Sequence, residues 1–311
     1  MEVIRSLVQL RPHHQPCVAT IGNFDGVHRG HQCVFEQLIE KAAAQGLPSV
    51  VISFEPQPHE FFARTLAPPR LTRLREKVLA LRRFPIDRLL CLRFNQALAS
   101  WSAAAFIERV LVNGLGVRYL IVGDDFRFGR GRTGDYASLQ AAGRQYGFEV
   151  TNTPTFLLEG QRVSSTRVRA ALNAGDMAEA ARLLGRPYTL CGRVAHGARL
   201  GRQLGFPTAN IQLHRQSAPL LGVFAVQVRG LAAQPWPGVA NLGMRPTVAG
   251  GEARPLLEVH LFGFNRDIYG KQLEVEFLSR LREERKFASF DALRHQIAAD
   301  AAQARQVLGV S

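Results

Sequence analysis

The chain has 311 residues and a mass of 34.4 kDa, about twice the usual length of one domain, which predicts two domains. Hydrophobic residues make up 46% and charged residues 21%, a globular composition that excludes a disordered tail protein or a collagen-like repeat. The net charge of +14 divides as +8 over residues 1–186 and +6 over residues 187–311. A nucleic-acid binder more often concentrates its charge in a patch or tail, so this even spread suits an anionic small substrate at least as well.

Cys17, Cys33, Cys91 and Cys191 stand at wide, irregular spacings with no CxxC pair, which argues against a zinc ribbon or a disulfide framework. The N-terminus lacks a basic region followed by an apolar run, and the longest apolar stretches are too short to span a bilayer. A soluble, cytoplasmic protein is expected.

In chain order, Cys17–Ile21, Ser49–Phe54, Leu89–Leu92 and Tyr119–Val122 are short unbroken apolar runs, as in strands of a parallel sheet covered on both faces. Between them lie helical patterns, one with Leu71, Leu74, Val78 and Leu81 on one face, another opening at Ser102 with Phe106 and Val110 inward. This order predicts a doubly wound, Rossmann-like α/β domain over residues 1–185. From about Gly185 the period changes to two: Phe224, Val226 and Val228, then Leu257, Val259 and Leu261, then Leu273, Val275 and Phe277 alternate with small or polar neighbours. Residues 186–311 therefore read as a small antiparallel β-barrel closed by a terminal helix, with Ser289 as cap and Leu293, Ile297, Ala304 and Leu308 inward.

The first predicted strand runs into Gly22-Asn23-Phe24-Asp25-Gly26-Val27-His28-Arg29-Gly30-His31, and a helix follows. The glycines permit close backbone approach to a ligand, and His31 falls where a helix N-terminus favours an anion. A glycine-rich turn with two solvated histidines is the competing reading of an isolated HxGH. Further on, Val163-Ser164-Ser165-Thr166-Arg167-Val168-Arg169 joins hydroxyls at a helix start to two arginines, although ordinary N-capping also accounts for the serines. No GxxxxGK[ST] phosphate loop occurs. In the second half, Gly192 to Ile211 carries glycines at 192, 197, 201 and 205 and three arginines, then Pro207-Thr208-Ala209-Asn210. Thr208 and Asn210 are two apart and share a face if extended. Taken alone this is a suggestive loop, with a barrel turn the plainer account.

HxGH together with SSTxxR resembles the adenylyl-transferring nucleotidyltransferases. Thr20 to Gln32 (TIGNFDGVHRGHQ), Gly123 to Gly134 (GDDFRFGRGRTG), Val163 to Arg169 (VSSTRVR), Phe54-Glu55-Pro56 and the segment Leu71-Thr72…Arg75-Glu76-Lys77 are similar to the bacterial bifunctional riboflavin kinase/FMN adenylyltransferase (FAD synthetase) family. GRVxxGxxLGRxLGFPTANI, GVFAV, GVANLGMRPTV and LEVHLFGFNRDIYG resemble the family's kinase half, so the likeness covers nearly the whole chain.

The resemblance implies a two-step enzyme: riboflavin is phosphorylated to FMN, then FMN is adenylylated to FAD, each step with ATP and Mg²⁺. It places ATP over Gly22, Asn23, Phe24, Asp25 and Gly26, with His28 and His31 at the phosphates and Ser164, Thr166 and Arg169 covering the triphosphate. The FMN phosphate, already ionised, would attack the α-phosphorus without a general base, and alignment and charge neutralisation would supply the catalysis. Phe126 and Phe128 are candidates for contact with the isoalloxazine ring, with packing beneath the loop an equal alternative. Asp124 and Asp125 read as metal ligands or as turn residues. In the kinase half the resemblance assigns Gly192, Gly197 and Gly201 to the nucleotide, Thr208 and Asn210 to Mg²⁺, and Glu258 as the base that deprotonates the ribityl hydroxyl. An outward strand position is the alternative for Glu258, since Leu257, Val259 and Leu261 occupy the other face. One departure is Gly263, where the family commonly has Asp, which puts the turn through Asn265-Arg266-Asp267 in question.

Other acceptors for the HxGH half, such as another phosphorylated vitamin, leave the PTAN half without purpose. A class I aminoacyl-tRNA synthetase would need a lysine-rich second signature. A basic nucleic-acid binder with a small barrel is the non-enzyme alternative, disfavoured by the spread of charge and by only two tryptophans and five tyrosines for stacking. The expected partners are riboflavin, FMN and ATP, with no nucleic acid and no membrane, in a monomer or weak homo-oligomer.

Overall fold

The computed structural model describes residues 1–63, 66–197, 204–245 and 253–310. The chain forms two compact units: Met1–Pro68 with Lys77–Val163, and Pro69–Glu76 with Ser164–Ser311.

In the first unit six strands form an all-parallel sheet in the order β1-β4-β3-β2-β5-β6. They are β1 (Glu2–Ile4), β2 (Cys17–Ile21), β3 (Ser49–Glu55), β4 (Arg88–Arg93), β5 (Val117–Gly123) and β6 (Glu149–Thr153). Every residue of β2 is buried, as an unbroken apolar strand requires when helices cover both faces. The winding runs from β2 outward through β3 and β4, then returns to β5 beside β2. The carboxyl ends of β2 and β5 thus flank the point where the winding reverses, the usual ligand crevice of such sheets. The helices are α1 (Arg29–Gln45), α2 (Pro58–Ala63), α3 (Leu74–Leu81, in this unit from Lys77 onward), α4 (Gln96–Ala99), α5 (Ala103–Phe106) and α6 (Tyr136–Tyr146), and a short hairpin joins β7 (Leu157–Leu158) to β8 (Gln161–Arg162).

One local expectation is corrected and another is met with a refinement. Leu71 precedes α3 instead of sharing its face, and it is fully buried in the second unit. The helix opened by Ser102, whose hydroxyl accepts the Ala105 N–H as expected, widens over Ile107–Val112 into a π-turn, in which the Asn113 N–H reaches the Glu108 carbonyl at 2.8 Å.

The second unit holds α7 (Ser165–Ala174), α8 (Met177–Leu184) and a closed antiparallel barrel in the order β10-β13-β12-β11-β14-β9. Its strands are β9 (Tyr188–Ala195), β10 (Ala209–Gln212), β11 (Gly222–Arg229), β12 (Trp236–Arg245), β13 (Arg254–Leu261) and β14 (Gln272–Arg282). The period-two residues point inward: Phe224, Val226, Val228, Leu257, Val259, Leu273, Val275 and Phe277 are all buried. The terminal helix α9 (Phe290–Leu308) is capped by Ser289 and packs Ala301 and Ala304 against Val223, Ala225 and Phe262. Its buried face also includes Asp300, which the Arg282 guanidinium neutralises at 2.7 Å.

Candidate functional site

The loop after β2 is built from strained backbone. Gly22 still donates to the Ile52 carbonyl of β3 at 3.0 Å, so the loop leaves the sheet in register. Phe24 (φ 47°), Gly26 (φ 84°) and Val27 (φ 49°) then adopt left-handed conformations, which a β-branched valine tolerates only when its surroundings hold it there. Val27 is 1% exposed. A Cβ on Gly22 would stand 2.9 Å from the Phe24 ring, so that glycine lets the aromatic fold back over the loop. The Phe24 ring meets His31 edge-on at 5.2 Å between centroids.

His28 is the N-cap of α1, and its Nδ1 accepts the His31 N–H at 3.4 Å. The two imidazoles stack with centroids 3.5 Å apart. Nδ1 of His31 is buried and has no hydrogen-bond partner among the described residues. Burial, and then the proximity of His28 and Lys77, hold the His31 imidazole well below its ordinary pKa, so it is neutral at pH 7. Lys77 is fully buried, with Nζ donating to the Ser53 hydroxyl at 3.1 Å. An orphaned imidazole nitrogen and a helix N-terminus together suit a phosphate.

On the neighbouring strand exit, Asp124 accepts the Thr155 hydroxyl at 2.9 Å and Asp125 pairs with Arg162 at 2.6 Å. Both carboxylates thus have partners within the unit. Phe126 and Phe128 stack at 5.4 Å and 15°, and Phe128 is a core residue packed on Phe106.

In the second unit Asn210 and Glu258 are direct cross-strand partners on β10 and β13, which puts their side chains on one face of the sheet. That face is opposite the fully buried Ile211 and Leu257. Glu258 is therefore the outward strand residue of the alternative reading, and it is also next to Asn210. The backbone of Gly197 lies against the Asn210 amide, where any Cβ would collide with it. Thr208 directly precedes β10, and Pro207 is held by His260, whose Nδ1–H donates to the Pro207 carbonyl at 2.8 Å. Burial lowers the His260 pKa. Thr208 and Asn210 offer a hydroxyl and an amide oxygen, the hard-oxygen donors that magnesium takes.

Elsewhere, Glu2, His13 and His14 place potential ligand atoms within 4.8 Å of one another. His14 Nδ1 accepts the Arg11 N–H at 2.8 Å, so its ring proton is on Nε2 and faces Glu2 at 3.3 Å. A metal would have to displace that proton, and the cluster is read as a hydrogen-bonded one.

A family model described as FAD synthetase matches residues 10–167, and one described as riboflavin kinase matches residues 184–308. The bifunctional riboflavin kinase/FMN adenylyltransferase of Pseudomonas fluorescens is 54% identical over 100% of this chain and 99% of its own. That of Escherichia coli (strain K12) is 50% identical with the same coverage. The chain belongs to the bifunctional riboflavin kinase/FMN adenylyltransferase family. A crystal structure described as a macrolide-efflux protein from Streptococcus pneumoniae shares the fold, with a TM-score of 0.81 at 30% identity, covering 98% of this chain and 99% of that one. Among the described residues no helix is long and apolar enough to cross a membrane.

The remaining residues expected for a riboflavin kinase/FMN adenylyltransferase are placed as follows. Ser164 caps α7 by accepting the Arg167 N–H, Thr166 is exposed on its first turn, and Arg169 Nε donates to the Pro69 carbonyl at 2.6 Å. Gly192 is not part of a loop. It lies within β9 opposite Leu273, and a Cβ there would stand 2.5 Å from the Gln212 carbonyl. Gly201 lies outside the described residues. Gly263 has a φ of 60°, so the turn after β13 uses a left-handed position that glycine occupies without strain. Asp267 keeps a local role, accepting the Tyr269 N–H at 2.9 Å.

Two further residues lie beside these candidate sites. Lys77 falls in the segment Leu71-Thr72…Arg75-Glu76-Lys77, which by itself points to no role for it. His260 is two residues from Glu258 on the same strand, so the period of two was the available signal.

Proposed function

We propose that the two steps of this family are divided between a loop site in the first half and a barrel-face site in the second, with the functional boundary at 185/186. The enzyme phosphorylates riboflavin to FMN with one ATP and transfers AMP from a second ATP to FMN, giving FAD and pyrophosphate. The family matches end at residue 167 and begin again at 184, close to that boundary, whereas the compact units divide at 163/164.

For adenylyl transfer, Gly22, Asn23, Phe24, Asp25 and Gly26 approach the nucleotide, and His28 and His31 meet its phosphates at the start of α1. The neutral His31 donates a hydrogen bond without a charge that would compete for the FMN phosphate. Pentacoordinate charge at the α-phosphorus is then met by fixed donors, and no proton need leave the nucleophile. Ser164, Thr166 and Arg169 are assigned to the triphosphate on the strength of the VSSTRVR motif alone. For the flavin we favour Phe126 over Phe128, because Phe128 is committed to the core.

For phosphorylation, Glu258 takes the proton of the ribityl hydroxyl while its oxygen attacks the γ-phosphorus and ADP departs. Thr208 and Asn210 are the proposed magnesium residues, and Gly197 and Gly201 border the nucleotide. Magnesium, when bound, offsets the charge of the β- and γ-phosphates. The observation that carries this reading is the direct pairing of Asn210 with Glu258, which joins an oxygen donor and a base on one barrel face. We further propose a cytoplasmic monomer or weak homo-oligomer that does not bind nucleic acid, in keeping with the even spread of its charge.

Labelled ATP separates the two steps. Label at the γ-phosphorus should enter FMN, and label at the α-phosphorus should enter FAD but never FMN. Alpha label in FMN, or γ label in pyrophosphate without flavin product, would contradict the scheme.

A further inference from the structure

The polar row that holds Asn210 and Glu258 continues across a third strand. Asn241 on β12 pairs directly with Glu258 from the other side. Asn210, Glu258 and Asn241 therefore share one face, opposite Ile211, Leu257 and Leu242, all of which are fully buried. Asn241 Nδ2 donates to Glu284 Oε1 at 3.3 Å. Glu284 follows β14, and its carboxylate rests on the backbone of Gly243 in the space any side chain there would take. Arg245, at the end of β12, reaches both acids: Nη2 is 3.8 Å from Glu258 Oε2, and Nη1 is 4.0 Å from Glu284 Oε1.

One guanidinium thus spans two carboxylates that are 29% and 32% exposed. Ion pairs this open to water contribute little to stability. Both separations are longer than a hydrogen bond, so the guanidinium acts on the two acids by its charge, drawing both carboxylates toward one point. The bare backbone of Gly243 and the amide of Asn241 place Glu284, and the Glu284 carboxylate lies within ion-pair distance of Arg245. The arrangement is suited to orienting Glu258, not to strengthening the barrel.

We propose that Glu284 is a positioning residue for riboflavin phosphorylation, acting through Arg245 to hold the Glu258 carboxylate on the face it shares with Asn210. This rests on the assignment of Glu258 as general base. Glu284 takes no proton itself. The ribityl proton passes to Glu258, the hydroxyl oxygen forms the new bond to the γ-phosphorus, and the bond to the ADP oxygen breaks with its electron pair.

The test uses the full-length enzyme and compares kcat and KM for riboflavin and ATP in wild type, Glu284→Gln, Arg245→Gln, the double variant, Arg245→Lys and Glu258→Gln. Either neutral single variant should lower kcat about ten- to a hundredfold with KM changed less than about twofold, the pattern of lost alignment. The double variant should lose no more than the worse single one, because both act on the same group. Arg245→Lys should recover part of the loss, and FMN adenylylation should be unchanged throughout. An unchanged kcat in Glu284→Gln, a loss confined to KM, or additive losses would overturn the proposal. If Glu284→Gln does not fold, Arg245→Gln decides alone, since that side chain is half-exposed. Glu258→Gln inactive with Glu284→Gln fully active removes this proposal only; Glu258→Gln phosphorylating riboflavin normally removes the base assignment and this proposal with it.

Discussion

His28 and His31 lie face to face, with ring centroids 3.5 Å apart and planes 17° from parallel, at the first turn of the helix that follows the strained loop. Two imidazoles this close do not readily both carry charge, and burial already selects the neutral form of His31. His31→Ala should lower FMN adenylylation by about a hundredfold or more, the usual cost of losing a preorganised donor. Riboflavin phosphorylation should stay at its wild-type rate. Equal loss of both activities, in a protein with unchanged circular dichroism, would remove His31 from the site.

The same ring makes stability depend on pH. Its ordinary value is 6.5, and the folded protein holds it well below that. Between the two values the unfolded chain binds a proton that the folded chain refuses, so stability rises with pH in that window and falls on acidification below about 6.5. Thermal unfolding of wild type and His31→Gln at pH 7.5 and 5.5 checks this. The acid-induced drop should be smaller in the variant, and equal drops would show that His31 does not contribute.

Glu258→Gln keeps the size and hydrogen-bonding capacity of the side chain but removes the base. FMN formation from riboflavin should fall by about a hundredfold or more, while supplied FMN is still converted to FAD. A variant that phosphorylates riboflavin normally would show that Glu258 is only the outward strand residue its pattern also allows.

Glu76 and Arg215 form a buried ion pair, with side chains 5% and 3% exposed, and Glu76 also accepts the Cys191 N–H at 2.9 Å. Arg215→Met leaves a buried carboxylate without its cation and should destabilise the second unit by about 3–5 kcal/mol. Adding Glu76→Gln should recover part of the loss. Urea unfolding measures both, and a single variant as stable as wild type would contradict the pair's structural role.

This pair also shows where the sequence stops being informative. Buried strands were legible because their apolar runs are unbroken, and the barrel because Leu257, Val259 and Leu261 alternate with polar neighbours. Helix starts were legible at Ser102, Ser164 and Ser289, where a side chain acts on residues three positions away. Leu71 and Glu76 behave differently. Helical spacing groups Leu71 with Leu74, yet residues 69–76 pack with the second unit, and Glu76 finds Arg215 139 residues later. No local period encodes such a partner. Gly192 likewise reads as loop glycine, because nothing near it announces that the Gln212 carbonyl will take its side-chain space. The HxGH site was legible as a motif, but the orphaned nitrogen of His31 and the buried Lys77 beside it depend on three-dimensional packing.

One chain carries both reactions in sequence. Purified protein incubated with riboflavin, ATP and Mg²⁺, with the flavins separated chromatographically over time, tests it most directly. FMN should rise first and then decline as FAD accumulates. Failure to convert riboflavin together with failure to convert supplied FMN would contradict the account.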